Sequence, residues 1–185
     1  MRNEFVGMAQ IILITGGSRS GKSEFAQKMA EKQPGPRLFV ATCPVTDDEM
    51  AQRIEKHQRQ RNASQWRTVE EPAKILRILE QYREYPAILI DCLTLWVNNI
   101  MFEAQQCNNT VDEPEISERI KETLAAARKC SGKIIFVTNE VGLGIVPENK
   151  EARLYRDLVG RCNQHVGAEA DEVYLVSCGV PLQLK

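Results

Sequence analysis

Ile11-Ile-Leu-Ile-Thr-Gly-Gly-Ser-Arg-Ser-Gly-Lys-Ser23 is the stretch on which the reading of this chain turns. Its first five residues are a near-continuous apolar run, the pattern of a strand buried on both faces. Gly16, Gly17, Ser18, Arg19, Ser20, Gly21, Lys22 and Ser23 then match G-x-x-x-x-G-K-[ST]. A helix-forming stretch follows at 24–32. In that strand–loop–helix setting the glycines allow a tight turn whose backbone N–H groups point inward at phosphate oxygens. The helix N-terminus adds partial positive charge. Lys22 is placed to reach the outer phosphates and Ser23 to ligate Mg²⁺. A glycine-rich turn that only packs a helix on a strand is the plainer alternative.

Four more aliphatic runs, at 38–42, 87–91, 133–138 and 172–177, repeat the strand pattern. Helical spacing separates most of them, at 47–60, 72–82, 114–129 and 148–166. Strand alternating with helix predicts an α/β fold, a mostly parallel sheet with helices on both faces. The end of the chain adds a short last strand, where Pro181 suits an edge. Residues 1–10 read as a loose extension, residues 11–185 as one domain, and 105–114 as an exposed polar loop. The end of a buried strand, Ile88-Leu-Ile-Asp91, offers a carboxylate to Mg²⁺ or to nucleotide at the edge where ligands bind such sheets. A turn cap is the alternative for Asp91. Glu140, also at a strand end, is weighed between a cap and a group that positions water, metal or substrate.

Composition narrows the classes. The chain has 185 residues, 43% hydrophobic and 26% charged, as in a globular protein. Its 24 basic residues nearly balance 25 acidic ones, for a net charge of -1, which weighs against nucleic acid as a partner. No run approaches a membrane span, and residues 1–10, with an acidic residue and no long apolar run, do not read as a secretory signal. The six cysteines include no C-x-x-C pair and read as mostly buried free thiols. Together these features predict a reduced, cytoplasmic protein.

Thr46-Asp-Asp-Glu49 reads as a capping box opening a helix. On it Arg53, His57 and Arg61 recur every four residues and share one face. Flanking guanidinium groups disfavour imidazolium and would leave His57 neutral and nucleophilic, beside a ready anion site. Met50 and Ile54 lie on the same stretch. From residue geometry alone, a partly buried histidine beside a solvated arginine face remains the favoured account. The other histidine, His165, carries less functional weight still.

The combination resembles a family. The loop at 16–23 is similar to that of the bifunctional adenosylcobinamide kinase / adenosylcobinamide-phosphate guanylyltransferases. So are Val40-Ala-Thr42, Asp47-Asp-Glu-Met50, Arg53-Ile-Glu-Lys-His57, Trp66-Arg-Thr-Val-Glu-Glu-Pro72 and Asp91-Cys-Leu-Thr-Leu-Trp96. Val137-Thr-Asn-Glu-Val-Gly142, Gly144-Ile-Val-Pro-Glu-Asn149 and Ala170-Asp-Glu-Val173 extend the likeness in order. The resemblance implies a cobalamin-biosynthesis transferase with a RecA-like P-loop fold, assembled as a homotrimer. ATP or GTP would phosphorylate adenosylcobinamide, and GTP would then donate GMP to that phosphate through a guanylyl-histidine at His57. It further implies nucleotide contacts at residues 16–23, at Ala41, Thr42 and Cys43, at Gln58, Arg59, Gln60 and Arg61, at Glu70 (with Glu71 the neighbouring alternative) and at Asp91, with Mg²⁺ held by Ser23 and Asp91. A simple P-loop small-molecule kinase and a regulatory nucleotide-binding NTPase are the competing functions.

Overall fold

A computed structural model describes residues 9–43 and 65–185. The aliphatic runs become strands: β1 (Gln10–Gly16), β2 (Arg37–Ala41), β4 (Ala87–Asp91), β5 (Lys133–Val137) and β6 (Glu172–Ser177). With β3 (Trp66–Glu70) and β7 (Val180–Gln183) they form one seven-stranded sheet in the order β3-β2-β4-β5-β1-β6-β7. Every pairing is parallel except β6 with β7. That last pair closes through Cys178 and Gly179, both with positive φ, the backbone a two-residue hairpin turn demands. Pro181 lies in β7 at the sheet edge, where its missing N–H costs nothing.

Side chains alternate between two apolar layers. Ile11, Leu13, Leu38, Val40, Ile88, Ile90, Ile134 and Phe136 point to one face. There they meet α2 (Ile75–Gln81), α3 (Leu93–Gln106), α4 (Glu113–Arg128) and α5 (Lys150–Glu169). Ile12, Ile14, Leu89, Ile135 and Val137 point to the other face, under Ala26, Met29 and Ala30 of α1 (Lys22–Glu31). Helices therefore cover both faces of the sheet. The polar termini are sealed locally: Asp112 accepts from the Glu115 N–H at the start of α4, and Asn149 accepts from Glu151 and Ala152 at the start of α5.

Two elements escape the sequence pattern. β3 has only Trp66 buried while Arg67 and Glu70 are exposed, because it is the other edge strand. α3 opens with apolar residues on nearly every side, and even Asn99 is buried, so no polar stripe marks it as a helix. β1 begins at Gln10, and Ala9 before it is buried with its N–H and carbonyl bonded to Arg128. The helix expected at 47–60 lies outside the described residues.

Candidate active site

The sheet register fixes what the carboxyl edge brings together. Glu70, Ala41, Asp91, Val137, Ile14 and Tyr174 are partners in one row across six strands. The glycine-rich loop leaves β1 just beyond Ile14. Asp91, Glu70 and residues 41–43 thus share one edge with that loop, the edge at which open α/β sheets receive ligands.

Within the loop, close packing explains the glycines. A Cβ on Gly16 would stand 2.4 Å from the Val176 carbonyl oxygen and 2.8 Å from Ser20 Oγ. Gly21 caps α1 with φ 94°, a left-handed conformation that side chains rarely adopt. Lys22 is buried and its Nζ donates to the Gly17 carbonyl at 3.0 Å, so the ammonium arches back over the loop. Ser20 Oγ is buried beside Gly16 and has no hydrogen-bond partner among the described residues. A buried hydroxyl in that position suits a phosphate oxygen, which would satisfy it. Gly17, Ser18, Arg19 and Ser23 are exposed around it.

One residue beyond this row, a polar belt runs across the strand ends. Thr42 Oγ1 accepts from the Cys92 N–H at 2.6 Å and donates to the Cys92 carbonyl at 2.7 Å. Asn99 Nδ2 donates to the carbonyls of Thr42 and Pro72. Cys92 Sγ and Thr94 Oγ1 lie 2.8 Å apart, and Asn139 Nδ2 donates to Thr94 Oγ1 at 2.8 Å. Asn163 of α5 closes the belt, accepting from Thr138 Oγ1 at 2.7 Å and donating to the Asn139 carbonyl at 3.1 Å. The sequence reading of Cys92 as a packed thiol holds: burial, and then the Asp91 carboxylate beside it, push its pKa up. Burial likewise raises Tyr155 to about 12, its hydroxyl donating to the Thr94 carbonyl. Of this belt only Asn99, Tyr155 and Asn163 fall outside the sequence blocks quoted for the resemblance.

The carboxylates divide by role. Glu71 Oε1 accepts from the N–H groups of Ala73 and Lys74, tying down the turn into α2. Glu70 is exposed at the end of β3. Glu140 Oε1 accepts from Thr15 Oγ1 at 2.6 Å, and its N–H donates to the Gly16 carbonyl at 3.3 Å. Arg153 donates to the carbonyls of Pro147 and Glu148, and Arg156 to that of Gly142, so these arginines pin the loop after β5. His57, Gln58, Arg59, Gln60 and Arg61 lie outside the described residues. His165 lies one turn after Arg161 on α5, and burial, then Lys121 and Arg161, push its pKa down. Trp66 and Trp96 are core residues, their indole N–H groups donating to Glu31 and to the Ala73 carbonyl.

Among the described residues no helix is long and apolar enough to cross a membrane. A mostly parallel sheet with a glycine-rich loop and Lys22 at its carboxyl edge defines the P-loop NTPase fold. Solved structures share it at low sequence identity. The flagellar accessory protein FlaH from Methanocaldococcus jannaschii matches with TM-score 0.54 and 14% identity, over 91% of this chain and 71% of that one. An ATPase from the type III secretion system of pathogenic bacteria matches with TM-score 0.57 and 15% identity, over 91% and 52%.

The family follows from closer relatives. The model of cobinamide kinase / cobinamide phosphate guanyltransferase matches residues 12–184, and the chain belongs to that family. It is 41% identical over 182 residues to the bifunctional adenosylcobalamin biosynthesis protein CobU of Salmonella typhimurium, spanning 95% of this chain and 99% of that protein. Its identity to CobU of Escherichia coli is 38% over the same shares. With the bifunctional protein CobP of Pseudomonas aeruginosa it is 35%, over 94% of this chain and 96% of that protein. The chain is a transferase of cobalamin biosynthesis.

Proposed function

We propose that this enzyme phosphorylates adenosylcobinamide with ATP or GTP and then transfers GMP from GTP to the new phosphate, giving adenosylcobinamide-GDP and pyrophosphate. The observation that carries this reading is the row at the carboxyl edge. It aligns the ends of β2, β3 and β4, with Glu70 and Asp91, beside a loop whose Ser20 hydroxyl has no partner among the described residues. Residues 16–23 hold the triphosphate through backbone N–H groups and Lys22. Ala41 and Thr42 are buried, the Thr42 hydroxyl committed to Cys92, so nucleotide meets this segment through backbone and Cys43. Glu71 is committed to the α2 turn, which favours Glu70 as the carboxylate that meets the nucleotide.

Ser23 and Asp91 offer two hard oxygen donors, a set that fits Mg²⁺, which takes few protein ligands and completes its shell with phosphate and water. When bound, the ion supplies charge neutralisation to the phosphates. His57 supplies the nucleophile of the second reaction. Its neutral ring attacks the α-phosphorus of GTP, the bond to the β-phosphate breaks, and pyrophosphate leaves with that electron pair. A phosphate oxygen of adenosylcobinamide phosphate then attacks the same phosphorus and displaces the ring. Two in-line displacements give net retention at phosphorus. Lys22, Arg53 and Arg61 offset the charge that develops. Gln58, Arg59, Gln60 and Arg61 join the nucleotide contacts, and a single domain at 11–185, working in the cytoplasm as a homotrimer, completes the proposal.

The test is incubation with GTP labelled on the α-phosphate, then denaturation. Acid-labile label retained by the wild type and lost in His57→Ala is expected. Protein that binds GTP and retains no label overturns the covalent route and leaves a plain kinase.

A further inference from the structure

We propose that Glu140 is the general base of the phosphorylation reaction and takes no part in the chemistry of GMP transfer. The inference rests on the two-reaction reading above. In the sheet β5 lies between β4, which ends in Asp91, and β1, which ends in the phosphate loop. The segment leaving β5 is therefore flanked by both. Of its first three residues, Thr138 and Asn139 spend their side chains on Asn163 and Thr94. Glu140 alone turns its side chain to the loop. Thr15 Oγ1 donates to one carboxylate oxygen at 2.6 Å, and the Glu140 N–H donates to the Gly16 carbonyl at 3.3 Å. The carboxylate is thus held by one oxygen at the first glycine of the loop. Its second oxygen makes no hydrogen bond among the described residues, and the side chain is only half-buried.

The two reactions differ in what such a group can do. A hydroxyl nucleophile must lose a proton, and a kinase places a carboxylate to accept it. Here the substrate O–H bond breaks and the proton passes to the free oxygen of Glu140. The hydroxyl oxygen bonds to the γ-phosphorus, the bond to the β-phosphate breaks, and the nucleoside diphosphate leaves with that electron pair. Water then takes the proton from Glu140. A neutral imidazole and a phosphate oxyanion attack with lone pairs that carry no proton. GMP transfer therefore does not need the base.

Glu140→Gln keeps an oxygen for Thr15 and removes the base. The kinase rate on adenosylcobinamide, α-label retention by the protein and GMP transfer to adenosylcobinamide phosphate are measured on wild type, Glu140→Gln and Glu140→Asp, with GTP affinity beside them. Expected for Glu140→Gln is a fall of about 100-fold or more in the kinase rate, with GTP affinity, label retention and GMP transfer near wild type. Glu140→Asp should fall between the two in the kinase assay alone. An undiminished kinase rate overturns the proposal. So does an equal fall in both reactions, which would mark Glu140 as a prop of the loop. Should Glu140→Gln not fold, Thr15→Val, which leaves the carboxylate unoriented, must lower the kinase rate selectively or the proposal fails. Wild type that phosphorylates adenosylcobinamide but retains no label overturns the guanylyl-histidine reading alone and leaves the kinase comparison to decide the role of Glu140.

Discussion

The backbone N–H of Gly179 donates to the carbonyl of Ser20 at 2.8 Å, so the tip of the β6–β7 hairpin is hydrogen-bonded to the phosphate loop. The contact is close enough to exclude side chains. A Cβ on Gly21 would lie 3.2 Å from Gly179 Cα, and both glycines have positive φ, 94° and 79°. The terminal hairpin is thus a buttress of the site, although every residue of β7 is exposed.

Gly21→Ala should therefore act on binding more than on folding. The alanine meets a left-handed backbone, at roughly 1–2 kcal/mol, and crowds Gly179. The loop relieves that strain by shifting away from the hairpin, which moves the N–H groups that would meet phosphate. Nucleotide affinity should fall at least about tenfold, since 1.4 kcal/mol is a factor of ten. The melting temperature should drop by only a few degrees. Fluorescent-nucleotide titration beside calorimetry reads both, and unchanged affinity in the variant would remove the buttress from the account.

Glu70 and Glu71 are adjacent in sequence and should separate cleanly in assay. Glu71→Ala strips the acceptor from the Ala73 and Lys74 N–H groups and should cost about 1 kcal/mol of stability with GTP affinity kept. Glu70→Ala removes an exposed carboxylate from the carboxyl edge and should weaken GTP binding with stability kept. Urea midpoints and GTP titrations of both variants check this, and the reverse pattern would assign the nucleotide contact to Glu71.

How far the sequence speaks can be read from these same residues. Strands buried on both faces announce themselves, because Ile12, Leu89 and Ile135 on one face and Leu13, Ile88 and Ile134 on the other leave no polar positions. The glycine-rich loop is legible because its chemistry needs a fixed spacing. The edge strand β3 is not, since Arg67 and Glu70 meet solvent and break its apolar run. α3 hides for the opposite reason, being buried nearly all round at its start. The site follows the same logic. Asp91 could be read as a strand end, but the bond from Thr15 to Glu140 spans 125 residues and the one from Asn99 to Thr42 spans 57. Only sheet order makes such pairs neighbours, and no local pattern records sheet order.

Asn163 tests the belt beneath the site. Thr138 is fully buried and donates to Asn163 Oδ1, while Asn163 Nδ2 serves the Asn139 carbonyl. Asn163→Ala leaves a buried hydroxyl and a carbonyl to find new partners, at a cost of about 1–3 kcal/mol. Asn163→Asp keeps the acceptor for Thr138 and loses the donor to Asn139, so its loss should be smaller. Denaturant midpoints should rank wild type, then the aspartate variant, then alanine. An alanine variant as stable as wild type would show that the belt does not hold β5 to α5.

Stability should also carry a titration far from the site. Asp171, in the turn before β6, accepts from Arg128 Nη1 at 2.5 Å and from the Ile11 N–H at 2.7 Å. The Arg128 guanidinium beside it holds its carboxyl below the usual carboxylate range, with the Ile11 N–H and Lys185 adding to the effect. Arg128 in turn donates to the carbonyls of Ala9 and Glu169, so the pair ties the start of β1 to the ends of α4 and α5. A carboxyl whose folded pKa is depressed binds its proton more readily in the unfolded chain. Its contribution is therefore fully present above the unfolded value and is lost as pH falls through the folded one. The carboxylate is 41% exposed, so solvent screening keeps the contribution modest. Asp171→Asn should be less stable than wild type at neutral pH, and the gap should close below about pH 4, the ordinary aspartate range. Urea unfolding of both proteins across that range reads the difference directly. A gap that stays constant with pH would mean that Asp171 acts through its hydrogen bonds to Ile11 and Arg128 and not through its charge.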